Sequence, residues 1–168
     1  MSSQMHNKKH LINNLEFAQS GQTLSGTLQL DDCDRLRDSL ASNSQDFLLS
    51  YALQGQVNMA SELRLNLQID AILPCVCQRC LENVNITLGL NFHYVINSEA
   101  AEELDKLDDV DWLEADMEMD LTTLIEDEVL AAFPFAPMHL DCNAVTMQSG
   151  DKPNPFAVLQ TLKDKPIK

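Results

Sequence analysis

Apolar residues fall on every second position of "SELRLNLQIDAIL" (61–73), with Leu63, Leu65, Leu67, Ile69 and Ala71 on one side and Glu62, Arg64, Asn66, Gln68 and Asp70 on the other. A period of two sends these sets to opposite faces of an extended chain, so the stretch predicts a strand with one wet face. "NVNITLGLNFHYVI" (83–96) repeats the pattern. Val84, Ile86, Leu88, Leu90, Phe92, Tyr94 and Ile96 point inward, while the polar set includes Asn85, Asn91 and a solvated His93. "QDFLLSYALQGQVNM" adds an earlier strand with a turn at Gly55, and residues 46–96 together predict an antiparallel meander. "QTLSGTLQL" (22–30) is a shorter strand of the same kind.

Elsewhere the period lengthens. In "DDCDRLRDSLAS", Asp31 or Asp32 is suited to cap a helix over 33–42, with Cys33, Leu36 and Leu40 on one face and Cys33 a small buried hydrophobe. Asp120 is suited to cap a second helix, whose stripe of Leu121, Leu124, Ile125, Val129 and Ala132 ends before Pro134 and packs on the dry face of the sheet. Glu126, Asp127 and Glu128 are successive in that helix, at about 100° per residue, so they cannot all face water. The reading sends Glu128 toward the apolar side, with Arg79 or Lys152 as its partner. At the end of the chain, "KPNPFAVLQTLK" places Asn154 and Pro155 at a helix start and aligns Phe156, Leu159 and Leu162.

These elements predict an α+β fold: an antiparallel β-meander with a few helices packed on one face, an acidic loop and a short C-terminal helix. Residues 1–145 are expected to form a single domain containing an acidic segment at 97–120. Residues 146–168 are expected to be a linker and a short amphipathic tail that either folds back on its own domain or docks on a partner, the linker-like residues before it favouring the partner. The length of 168 residues is enough for one buried core. No apolar run reaches signal-peptide or membrane-spanning length, and a soluble, cytoplasmic protein without membrane contact is the expectation.

The charge narrows the function classes. The chain has 11 Lys and Arg against 26 Asp and Glu, a formal −15, which leaves little material for the basic surface that non-specific RNA binding needs. Within 97–120, eleven carboxylates oppose Lys106 alone. The plain reading is a solvated loop; the sharper one is a docking surface for a basic protein, through Asp108, Asp109, Asp111, Trp112 and Glu114, joined by Phe156 and Leu159 of the tail.

The candidate chemistry lies between the two long strands. "CVCQRC" packs Cys75, Cys77 and Cys80 into a chain reversal, and Cys77-Gln-Arg-Cys80 has the two-residue gap by which thiolates turn onto one zinc ion. Downstream, His139 and Cys142 in "PMHLDC" have the same gap and complete a possible Cys3His set, with Cys75 left over. A metal-free hairpin turn, a single zinc ion and a redox pair all remain open. The redox reading ranks last, because a thioredoxin-type CxxC belongs at a helix start in a parallel βαβ unit. The expected role of the cysteine turn is shape rather than chemistry.

The order of three motifs, Cys77-Gln-Arg-Cys80-Leu81 after an alternating strand, then "MDLTTLIEDEVLAAFPFAPMH", then "KPNPFAVLQTLK", resembles the YceD family of large ribosomal RNA subunit accumulation proteins. The likeness spans roughly residues 60–163. It implies a role in the synthesis, processing or stability of 23S ribosomal RNA, with no catalytic residues to carry over. In some relatives a cysteine-rich C-terminal segment would complete a metal site with the central CxRC; here that region offers His139 and Cys142. Set beside the charge, the resemblance predicts a non-enzymatic factor acting through a basic ribosomal or rRNA-processing protein, with direct RNA contact left open. A metal-assisted RNA-processing enzyme and a structural zinc module are the alternatives, the first disfavoured because two-metal chemistry needs converging carboxylates.

Overall fold

The computed structural model describes residues 10–40, 46–97 and 111–144. Its elements are β1 (Leu11–Ile12), α1 (Asn14–Gln19), β2 (Thr23–Leu28), a 3-10 turn (Leu30–Asp32), α2 (Asp34–Ser39), β3 (Leu48–Val57), β4 (Leu63–Val76), β5 (Asn83–Asn97), β6 (Asp111–Glu114), β7 (Met119–Asp120) and α3 (Leu121–Ala132). A five-stranded sheet runs β2-β3-β4-β5-β6, and β1 pairs with β7 beside it. The class is α+β.

The alternation sets the register. Leu49, Tyr51 and Leu53 of β3 stand opposite Ala71, Ile69 and Leu67 of β4, and Leu67, Ile69 and Leu73 stand opposite Phe92, Leu90 and Ile86 of β5. Slipping any pair by one residue would turn the apolar set into water. The other face is polar, and there His93 is exposed and shares a hydrogen bond with Asn66 at 2.8 Å. Pro74 sits in β4 beyond the last residue paired to β3, Ile72, where the strand is bonded on one side only and the missing N–H is tolerated.

One core joins the dry face to the helices. Leu65, Leu67, Ile69, Leu121, Ile125 and Val129 are fully buried within it, as are Cys33 and Leu36, each large apolar side chain contributing about 2 kcal/mol. Of the inward set on β5, Val84, Tyr94 and Ile96 are buried, whereas Ile86, Leu88, Leu90 and Phe92 are half-buried.

Gly55 is not a turn. It lies inside β3, paired with Leu65, and the reversal comes later, where Asn58 bonds Ala60 and Glu62. A Cβ on Gly55 would collide with the Phe17 carbonyl oxygen and stand 2.8 Å from the Ala18 Cα, so the missing side chain is what lets α1 lie against the strand. The helix α1 itself, absent from the periodicity, is held by Asn14. That residue is fully buried; its Nδ2 donates to the Glu114 carbonyl at 2.8 Å and its Oδ1 accepts from the Asp116 N–H at 3.0 Å.

The capping of α2 also departs from expectation. Asp31 and Asp32 belong to the 3-10 turn, where the Asp32 carboxylate accepts from the Gln29 N–H at 3.1 Å. The helix spans Asp34–Ser39, and Cys33 at its N-cap makes no side-chain cap bond. The cap is supplied by Glu126 of α3, whose Oε1 accepts from the N–H groups of Arg35 at 3.1 Å and Leu36 at 3.3 Å. Thus Glu126, only 6% exposed, is the acid that turns inward. Glu128 accepts from the Tyr94 hydroxyl at 2.7 Å and does not meet Arg79; Lys152 lies outside the described residues. Asp120 caps α3 as expected, accepting from the Thr122 N–H at 3.1 Å.

The acidic segment is not a loop throughout. Asp111–Glu114 forms β6, parallel to β5 with Tyr94 opposite Asp111 and Asn97 opposite Glu114, so the sheet is a meander only from β2 to β5. Trp112 and Leu113 are half-buried while Asp111 and Glu114 are exposed, and these two apolar residues give the segment something to pack. Asp108, Asp109, Phe156, Leu159 and the expected C-terminal helix lie outside the described residues. Among those described, no helix is long and apolar enough to cross a membrane.

Candidate metal centre

The cysteine reversal joins β4 to β5. Ladder pairing ends at Val76 opposite Asn83. Beyond it the Cys77 N–H donates to the Glu82 carbonyl at 2.8 Å, and the Leu81 N–H donates to the Cys77 carbonyl at 2.9 Å. Closing so tight a turn puts Leu81 at φ 63°, a left-handed conformation that a branched side chain resists. Within the turn the Cys77 and Cys80 side chains face the same way.

The other half comes from the chain after α3. Phe133 leaves the helix with extended geometry, φ −66° and ψ 128°, as Pro134 requires of its predecessor. The segment then folds back over the hairpin, where the Pro137 carbonyl accepts from the Gln78 N–H at 2.9 Å. Arg79 Nη2 donates to the His139 carbonyl at 2.5 Å.

Four potential ligand atoms converge there: those of Cys77, Cys80, His139 and Cys142 all lie within 4.8 Å of one another. Cys77 Sγ is 3.7 Å from Cys142 Sγ, and Cys80 Sγ is 3.3 Å from His139 Nδ1. The far side of the imidazole is fixed too, with Nε2 3.0 Å from the Asn83 carbonyl oxygen. Cys77 is fully buried and the other three are half-buried. Cys75 is buried but separate, its thiol donating to the Leu73 carbonyl at 3.2 Å.

Arg79 reaches the sulfurs directly. Its backbone N–H donates to Cys77 Sγ at 3.4 Å, and its Nε donates to Cys142 Sγ at 3.0 Å. Burial pushes the Cys77 thiol up, but N–H groups of Cys80, His139 and Arg79 and the Cys80 thiol outweigh it and bring the group down to about 5. Cys80 moves the other way: the Glu82 N–H favours its thiolate, and burial with the sulfurs of Cys77 and Cys142 prevails and raises it. Three sulfurs and one imidazole nitrogen make a donor set suited to zinc.

All four residues anticipated from their spacing are thus brought together. Arg79, one of two candidate partners for Glu128 on sequence grounds, instead serves this cluster, and the Asn83 carbonyl has no signal in the sequence. Of the residues expected to meet a partner, Asp111, Trp112 and Glu114 lie together on β6 at the sheet edge.

Residues 65–163, which include all four convergent side chains, match the family described as "Large ribosomal RNA subunit accumulation protein YceD". The Large ribosomal RNA subunit accumulation protein YceD of Haemophilus influenzae is 28% identical over 167 residues, covering 92% of this chain and 95% of that protein. No solved structure matches the chain.

Proposed function

Since the chain belongs to the YceD family, the large ribosomal RNA subunit accumulation proteins, we propose that it promotes accumulation of 23S ribosomal RNA without catalysing a reaction, by engaging a basic protein of the large-subunit assembly or rRNA-processing machinery. The observation that carries the choice of partner is the formal charge of −15. A surface of that sign repels the phosphate backbone and attracts basic protein extensions, with fast, electrostatically steered association. The β6 edge, with Asp111 and Glu114 exposed on either side of Trp112 and Leu113, offers both charge and apolar area for such a contact.

The test has two arms. Deleting the gene lowers the ratio of 23S to 16S ribosomal RNA, and tagged protein captured at low salt carries one or two basic large-subunit or processing proteins that a purified pairing reproduces. In that pairing the association rate falls steeply as ionic strength rises. Recovery of 23S precursor alone, persisting through salt washes and reproduced with naked RNA, would refute the protein-partner reading. An unchanged 23S level would refute the function itself.

A further inference from the structure

We propose that Cys77, Cys80, His139 and Cys142 bind one zinc ion as a closed, structural centre that fastens the chain after α3 to the β4–β5 hairpin. This does not rest on the rRNA reading.

Geometry is the first support. Bonds of about 2.3 Å to sulfur and about 2.0 Å to nitrogen in a tetrahedron imply edges of about 3.8 Å between sulfurs and about 3.5 Å between sulfur and nitrogen. The Cys77–Cys142 and Cys80–His139 separations, 3.7 and 3.3 Å, are edges of that size. The two pairs come from segments about sixty residues apart in sequence, so their meeting at ligand spacing is a property of the fold.

The second support is the outer layer. The Asn83 carbonyl can only accept, so at 3.0 Å it requires the proton on Nε2 of His139 and leaves the Nδ1 lone pair facing the sulfurs. Ligating histidines are held by such carbonyl bonds. Arg79 donates to two of the sulfurs, an arrangement that suits thiolates. Its charge also closes the balance, since a divalent ion with three thiolates and a neutral imidazole carries −1 and the guanidinium returns the centre to neutrality.

With four protein ligands there is no open position for water or substrate, which makes the centre structural. It would stand where a small domain most needs it, across a segment with no ladder pairing of its own.

The experiment is zinc analysis of full-length protein purified reduced, without a polyhistidine tag, together with X-ray absorption at the zinc edge. One zinc per chain with a shell of three sulfurs and one nitrogen is expected. The Cys75→Ser variant keeps the full complement, and Arg79→Ala weakens retention against a chelator by about tenfold or more. Cobalt added to metal-stripped protein gives the intense tetrahedral thiolate spectrum, and Cys142→Ser reduces it. Zinc well below one per chain, a shell rich in oxygen, or a Cys77–Cys142 disulfide in freshly purified protein would overturn the proposal. The absorption shell of the unaltered protein decides the matter even if Cys142→Ser fails to fold.

Discussion

The carboxylate of Glu126 caps the helix that carries Arg35: its Oε1 accepts from the Arg35 N–H at 3.1 Å while Oε2 meets the Arg35 guanidinium at 3.4 Å. One buried acid thereby satisfies two orphan donors of α2 and binds α2 to α3. Glu126→Ala is expected to lower stability by about 3 kcal/mol, because both N–H groups lose their acceptor and that of Leu36 is buried. Glu126→Gln, which keeps one acceptor, should lose less than half of that. Urea unfolding of the two variants checks the order; equal losses would mean that the charge and not the cap matters.

Gly55 has no room for a methyl group, because the obstacle is the backbone of α1 and not a flexible side chain. Gly55→Ala is expected to cost about 2–3 kcal/mol by displacing α1. Hydrogen exchange should show loss of protection at residues 17–20 ahead of the sheet. A neutral variant would mean that α1 does not hold its position over β3.

Alkaline pH should destabilise the fold through Cys33. Burial, then the carboxylates of Glu126, Asp32 and Asp34, push this thiol from 9.0 to about 12. Between those values the unfolded chain has released the proton and the folded chain has kept it, so stability falls as pH rises, by up to about 1.4 kcal/mol per pH unit. Cys75, Tyr51 and Tyr94 are shifted in the same direction, chiefly by burial, and add to the slope. Denaturant midpoints for Cys33→Ala between pH 9 and 11 should fall less steeply than those of the unaltered protein; identical slopes would contradict the assignment.

Leu81 is 58% exposed and holds φ 63°. Leu81→Gly should therefore raise stability by about 0.5–1 kcal/mol, strain relief exceeding the lost contacts and the added freedom of the unfolded chain. Thermal unfolding at neutral pH measures it, and a destabilised variant would show that the side chain packs more than its exposure implies.

What could be foreseen from the chain follows from how local each cause is. The wet and dry faces of β4 and β5 and the Asp120 cap are written in neighbouring residues, and they stand where periodicity places them. Gly55 interrupts an alternating run without stating why, and only the approach of α1 distinguishes a close contact from a turn. Among three successive acids the local pattern favours Glu128, and only the placement of α2 turns Glu126 inward instead. The α1 helix has six residues, too few for a periodic signal, and its anchor Asn14 finds partners in a remote segment. The ligand pairs were visible as spacings, whereas the fold-back that unites them depends on the path after Phe133, and the role of Arg79 depends on that path in turn.

The bonds of Asn14 bear on the order in which the protein is made. Its side-chain partners lie 100, 102 and 105 positions further along the chain. At ribosomal elongation rates those residues appear on the order of ten seconds after it. In the later part of that interval, once residue 76 has been made, β3 and β4 can pair, but the patch over Gly55 still lacks the Asn14 anchor of its cover, and contacts of such separation also slow folding. Helix α1 is made well before the residues that anchor Asn14, so a nascent chain stalled before residue 114 would present that patch, less firmly covered, to whatever waits at the exit.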